Sequence, residues 1–493
     1  MTKVNWTGLY LRHPLFEVLK IPLCAAALCA ADAAARPATA STLNTIYIDT
    51  TDTYGYLSLG YPVAVAGGRV IDVATSANPP AGPGDGTLFE LKPGKAGAQY
   101  TRTDLHTFLS TTASTDGEGP LFDLIRDKDG NVWGTTGAGG TYGTGTLFKL
   151  TKPATASGAW VYQVVLSLPA ALPAGNQQSA LVFDSAGNLF GMNSTGSYGA
   201  SCAPAGCGVI WEVTAARLAG GNDPVQILAA IPAVNYTDSV QGLALEAHGN
   251  LFTISVEGGT GNGSQGEVWE VSPPTTSGGS WSVQVIHSFC SILDTYNLCV
   301  DGANPIGGVV VKDGVLYGVT QLGGGGYLYA NLLAGGNLTG GGNGIIYSLT
   351  PPAKKSGSWT FGVVYELTDI NPNGSIGAAY DVHQPSGPPV FSSAGALVFP
   401  TYTGGAVDVT GANPNFGGTP INGGVMSVDP AGGVFSIVSN AFGIYNPPYQ
   451  SGPIWPYGPL SRNAKGDYYG ASGYWNNVTQ SQIGGNTIYQ VIP

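Results

Sequence analysis

Residues 127–150, DKDGNVWGTTGAGGTYGTGTLFKL, decide how the whole chain is read. DKDGN is a tight turn in which Gly130 is free to take a positive φ. NVWGTT alternates as a short strand, GAGGTYGTG is a glycine-rich loop, and GTLFKL alternates again. The same words return down the chain: DSAGNLFG at 184–191 with GVIWEV at 208–213, EAHGNLF at 246–252 with GEVWEV at 266–271. They return again as KDGVLYGV at 312–319 with GIIYSL at 344–349, and as AKGDYYG at 464–470 with TIYQV at 487–491. Such a recurrence sets the architecture, because each unit can bury its apolar face only against its neighbours.

Taken in order, the chain divides into seven units of four short strands. The first spans about 62–108, with GGRVIDVAT, GTLFEL and YTRTDLHTF; the second spans 120–168, the third 179–232, the fourth 242–289 and the fifth 307–367. The sixth, 395–442, is degenerate, with GGAVDV expected as its second strand and GGVMSV as its third. The seventh, from Gly458, holds PLSRNAKG, DYYGAS and NTIYQVI and stops one strand short. At the other end NTIYIDTT, Asn44–Thr51, is one strand too many. Surplus and deficit cancel if Asn44–Thr51 is the outermost strand of the last unit, beside Asn486–Ile492. The expectation is an all-β fold: a seven-bladed β-propeller of four-stranded blades, closed by the N-terminal strand in the last blade. An open solenoid would need polar caps at both ends, and these ends look complementary instead.

The composition agrees. With 76 glycines, 10% charged and 10% aromatic residues among 493, the chain suits short strands joined by glycine turns. Helical bundles draw on Ala, Leu, Glu and Lys instead. At 43% hydrophobic it is not a disordered composition. A net charge of −12 repels phosphate backbones, so no nucleic-acid partner is expected. No stretch carries the Lys/Arg cluster that an anionic membrane would attract.

Lys3, Arg12 and Lys20 precede an apolar run, Ile21–Ala31, followed by ADAAARPATA. This is the layout of an export signal over residues 1–35, cleaved near Ala35; a retained N-terminal anchor is the competing reading. The run is shorter than the ~20 residues of a spanning helix, and no membrane span is expected in the mature chain. Residues 36–43 read as a linker and 44–493 as a single propeller domain. The expected location is secreted or at the cell surface, with the periplasm as a variant. Cys24 and Cys29 leave with the signal. The remaining four form two close pairs, Cys202 with Cys207 and Cys290 with Cys299, which in an exported chain suggests two local disulfides. A zinc site is the alternative, and it would need both pairs to converge.

The order of motifs carries a resemblance. Asp116-Gly117 with Pro120, Asp129-Gly130-Asn131, Gly139-Gly140 and Gly145–Thr151 recur as Asp301-Gly302 with Pro305, Asp313-Gly314, Gly323-Gly324 and Gly344–Pro351. This resembles the GloVer tandem repeat over most of residues 80–370, and weakly in the last third. The resemblance implies an exported bacterial protein from a family whose members vary in their anchoring. That family is defined by its repeat, not by a reaction, and brings no catalytic residues to carry over.

In a propeller, the loops from second to third strands share a face with the loops between blades, and that face is the usual binding face. Here those loops are the long ones: 137–144, 193–208, 258–265, 322–343, 370–393 and 444–456. Tyr142, Tyr198, Tyr236, Tyr296, Tyr327, Tyr329, Tyr402, Tyr449, Trp455, Tyr457 and Trp475 fall on or beside them. Flat rings among Asn and Thr suit sugar rings, while packing of glycine-rich loops is the plainer role. The two longest insertions flank one blade, so the ligand site is expected at Tyr327, Tyr329, His383, Trp455 and Trp475. Trp133, Trp211 and Trp269 read as repeat-equivalent core.

Catalytic signals are weaker. His106 and His287 hold matching positions in outer strands, His248 sits in a tight turn, and only His383, near Tyr380 and Asp381, is placed to face the channel mouth. No nucleophile elbow appears. Asp116, Asp238, Asp294, Asp301 and Asp369 lie in interblade loops, where Asp-Gly reads as a structural turn more readily than as a glycosidase pair. Asp127, Asp129 and Asn131 match half of a calcium loop, but the sister repeats lack the second acid, which favours a plain turn. No catalytic residue, metal or cofactor is assigned. The sequence points to an exported binding or scaffolding module with a polysaccharide or cell-surface protein as partner. A secreted carbohydrate-active lyase or hydrolase on the same fold is the rival.

Overall fold

The computed structural model describes residues 41–48, 58–75, 86–94, 99–108, 115–121, 123–155, 158–172, 179–193, 207–232, 240–259, 264–295, 297–324, 342–354, 357–367, 382–404, 423–433, 435–439, 452–476 and 481–493. The first 40 residues, with the expected signal, lie outside them; Ser41–Pro493 is one compact unit. It is a ring of seven antiparallel blades, each of four strands in meander order. Blade one is Ser58–Leu59 with Val63–Val65, then Arg69–Thr75, Gly86–Lys92 and Thr101–Phe108. Blade two is Glu118–Pro120 with Ile125–Arg126, Val132–Ala138, Thr146–Thr151 and Val161–Ser167. Blades three, four and five span Ser179–Phe183 to Gln226–Pro232, Val240–Leu245 to Ser282–Ser288, and Ala303–Lys312 to Thr360–Glu366.

Blade six corrects the sequence reading. Its second strand is Leu397–Gly404, which pairs with Gly424–Val428; GGAVDV begins at the end of that strand and runs on outside the described residues. Leu397, Val398 and Phe399 are fully buried, and this continuous apolar run, covered on both faces of the strand, supplies the core of the blade. Blade seven is Gly452–Arg462, Tyr468–Asn476 and Ser481–Ile492, completed by Thr42–Ile48. Thr42 faces Ile492 and Ile48 faces Thr487, so the closure is the expected one, entered two residues earlier.

One pairing explains the repeated [WFY]-G of the second strands. The third strand of a blade carries a large ring directly across the second strand's glycine. Phe148 faces Gly134, Trp211 faces Gly191, Tyr347 faces Gly318 and Tyr489 faces Gly470. A methyl at any of these glycines would overlap the opposing ring. The ring needs the sheet surface, and only glycine leaves it bare. In blade four Thr253 stands opposite Trp269, and in blade six the pair is Phe399 and Met426. In blades one to six the ladder to the fourth strand also slips just before this third-strand residue, a bulge that adds local twist. Trp211 and Trp269 are thus equivalent. Trp133 is buried as expected but sits on a second strand, where its indole N–H donates to Asp127 at 2.9 Å.

Neighbouring blades are also joined by polar links. Trp160 of blade two donates to Glu90 of blade one at 3.0 Å, and Trp359 of blade five donates to Glu270 of blade four at 3.0 Å. The Asp-x-x-Gly-Asn turns are structural. Asp127 accepts from the Asn131 N–H and side-chain amide, and Asn131 accepts the Lys152 N–H; Asp184, Asn188 and Ala215 repeat this. Burial would raise the Asp127 carboxyl, but hydrogen bonds from Trp133, Asn131 and Asp129 outweigh it and hold it below its ordinary value.

Removing residues up to 52 leaves Ser481–Ile492 as an open sheet edge; the truncated chain should self-associate, read as mass growth by light scattering after size exclusion. Gly191→Ala should cost about 1–3 kcal/mol, read from urea melts, because Trp211 is fully buried and has no room to yield.

Candidate functional site

The first strand of each blade is nearest the axis, and in most blades it breaks or bulges midway. In blade one the interruption is 60–62, in blade two 121–124 and in blade six 386–389. In blades four, five and seven the strand passes through bulges after Gln241, Pro305 and Tyr457. These irregular points abut from blade to blade. A methyl at Gly242 would meet the backbone of Gly307 and Gly308, one at Gly387 the backbone of Gly458, and one at Gly458 the ring of Tyr61. Gly307 N–H donates to Gln241 Oε1 and Gly458 N–H to Ser386 O, each at 2.9 Å. The result is a tight inner girdle.

Where the girdle crosses blades seven, one and two it gathers ionisable groups. Asp72 is fully buried; Oδ1 accepts the Val73 N–H at 2.8 Å, and Oδ2 has no partner among the described residues. Burial drives its carboxyl well above the ordinary value, against the pull of Arg102. Tyr457 is half-buried, and its phenol is pushed up by burial and then by Asp72 and Tyr61. Tyr61 is raised by burial and by Asp123. Asp123, in the break of blade two, is half-buried and makes no ion pair among the described residues; burial lifts it to about 7. A carboxyl poised there can hold or release a proton near neutrality, the property that acid–base chemistry uses. Sequence reasoning missed Tyr61, Asp72 and Asp123 and put Tyr457 with the loop aromatics. The GYP break at 60–62 was the available signal, but nothing in it names the groups that meet there.

The histidines of the outer strands have settled roles. His106 Nε2 lies 2.7 Å from Asp116 Oδ2, and its ring stacks on Tyr162 of the next blade at 3.6 Å. His287 repeats this with Asp301 at 3.3 Å and Phe361 at 4.1 Å. Asp301, 1% exposed, also accepts from the Ser291 N–H and hydroxyl and the Ile292 N–H. Burial would raise it, yet these bonds hold it low. The loop it organises is closed by the Cys290–Cys299 disulfide, as expected. Cys207 is also disulfide-bonded; its expected partner, Cys202, lies outside the described residues. Among the described residues, no group of three or more His, Cys, Asp or Glu is placed to hold a metal ion. No helix among them is long and apolar enough to cross a membrane.

Of the expected ligand residues, Tyr327 and Tyr329 lie outside the described residues. The other three are on strands rather than in loops. His383 pairs with Thr403 in the first strand of blade six; Trp475 pairs with Gly452, and Trp455 is the bulged residue between Ile454 and Pro456 in blade seven. The backbone thus sets all three at the loop-face end of adjacent blades. Tyr142, 59% exposed, and Tyr402, 41% exposed, stand at the same end of blades two and six. The loop under Tyr142 is pinned: Thr141 N–H donates to Ser167 Oγ at 2.9 Å, and Thr144 Oγ1 donates to Leu168 O at 2.6 Å.

The fold is therefore that of a seven-bladed propeller built from a tandem repeat. Residues 63–332, more than half of the chain, match the Gloeobacter/Verrucomicrobia repeat, and the chain belongs to that family. No curated protein matches it. Solved structures similar to it include virginiamycin B lyase from Staphylococcus aureus, 13% identical, covering 92% of this chain and 99% of that one with a TM-score of 0.43. An α-L-arabinanase from Penicillium chrysogenum, complexed with arabinobiose, is 14% identical over 74% of this chain and 94% of its own, with a TM-score of 0.38. Likenesses this distant say nothing of activity.

The position of Asp123 has a pH signature. The folded chain keeps its proton up to about pH 7, whereas an unfolded aspartate loses it near ~3.9. Between those values the folded state binds more protons, so this group's contribution falls as pH rises and is level above about 7. Urea melts at pH 4.5, 6.0 and 7.5 should show Asp123→Asn gaining on the parent as pH rises; a constant difference would refute the shifted carboxyl.

Proposed function

We propose that the chain is an exported β-propeller binding module of the cell surface or extracellular space that takes a glycan on its loop face. The observation that carries this reading is Tyr142: an exposed ring on a loop already fixed by hydrogen bonds to Ser167 and Leu168. A rigid, exposed aromatic beside hydroxyl groups offers a sugar ring a stacking surface with little ordering cost. On this reading Tyr402, Trp455, Trp475, His383, Tyr327 and Tyr329 are assigned as further contacts. The secreted lyase or hydrolase is the second reading, and Asp123 is the specific observation in its favour. On that reading Asp123, with Tyr61 beside it, would move the proton.

A glycan array followed by calorimetry tests the first reading. Tyr142→Ala and the double variant Trp455→Ala/Trp475→Ala should each weaken binding at least tenfold while shifting the melting temperature little. Unfolding of the double variant would make those rings core and remove them from the site. A chromogenic-substrate panel separates the readings. Turnover that falls by about two to four orders of magnitude in Asp123→Asn supports the enzyme, and binding without turnover supports the module.

A further inference from the structure

A cavity of about 590 Å³ opens on the opposite, tight-turn face, between blades seven, one and two. Its lining has a charge that the rest of the chain does not. Of the 18 lysines and arginines, Lys3, Arg12, Lys20 and Arg36 precede the propeller; five of the fourteen others, Arg69, Arg126, Lys128, Lys152 and Lys465, line this one cavity. They come from four separate segments, at 69, 126–128, 152 and 465, so no single run of sequence announces them. Two are neutralised locally: Arg69 pairs with Glu90 at 2.9 Å, and Lys128 stands 3.7 Å from Asp129. The remaining acid, Asp127, is occupied by donors from Asp129, Asn131 and Trp133.

That leaves Arg126, Lys152 and Lys465 with no carboxylate partner among the described residues. Arg126 is oriented by donating from one guanidinium nitrogen to Ala64 O at 2.9 Å, which frees the others. The stem of Lys152 lies over Gly130, where an added methyl would come within 3.1 Å of its Cδ. Trp160, 8% exposed and tied to Glu90, gives the cavity an apolar wall. In a protein of net charge −12, this local excess of positive charge lining one cavity favours an anion there. The volume is that of a small-molecule site.

We propose that this cavity binds a small organic polyanion, one bearing two or more carboxylate or phosphate groups, held by Arg126, Lys152 and Lys465. The site lies between blades seven, one and two, on the face opposite the long loops. Calorimetry of the purified protein in 20 mM NaCl, with citrate and pyrophosphate as probes, tests it and separates the two oxyanion chemistries. At least one probe should bind one-to-one. Lys152→Glu/Lys465→Glu should weaken binding at least tenfold, and 200 mM NaCl should weaken it severalfold. Lys354→Glu, an exposed lysine of blade five, should leave it unchanged. If the charge reversals lower the melting temperature, Lys152→Gln/Lys465→Gln replaces them and should still weaken binding. The proposal is overturned if neither probe binds at millimolar concentration, or if binding survives both double variants unaltered.

Discussion

Everything in the fold rests on a large side chain of the third strand lying flat across the second strand. Where the opposing residue is glycine, the ring of Phe148, Trp211, Tyr347 or Tyr489 drops onto bare backbone and fills the space between blades. The bulge beside each ring adds twist where the next blade must fit. A sheet so shaped has one well-packed partner, another copy of itself, and repetition then leaves the ring as the economical solution. The polar links, Trp160 to Glu90 and His106 to Asp116, fix the angle between blades more than they drive their association.

Much of this was legible because it is periodic. The [WFY]-G words marked second strands, and a surplus strand at one end against a missing strand at the other gave the closure between Thr42–Ile48 and Ser481–Ile492. Blade six was misread because its second strand, ALVFPTYTG, lacks the glycine word, and GGAVDV imitated it. Burial of Leu397 and Phe399 decided the matter. The histidine–aspartate pairs were half legible: both partners stood out as repeated, but their meeting across a blade boundary depends on the loop between them.

The sites were less legible, since they are made by convergence rather than by pattern. Asp72 and Asp123 are 51 positions apart in the sequence and belong to different blades; only the girdle sets them among the same tyrosines. The cations of the tight-turn face show the same thing from the opposite direction. Each turn was read correctly as a turn, and a turn read alone is complete in itself. Charge on a closed ring has to be summed around the axis instead of along the chain.

The seam in blade seven has a consequence in time. Thr42 and Ile492 are among the earliest and latest residues of the ring to be synthesised, yet they are neighbours in one ladder. Six blades can form their own ladders as their strands emerge, because each is local in sequence. The seventh cannot close until its final strand is available, and it closes against the full loop entropy of the chain between. Until that moment the first strand has no native partner, and the ring is an open arc with an exposed edge at each end. Emergence of the last strand and completion of the fold are thereby the same event.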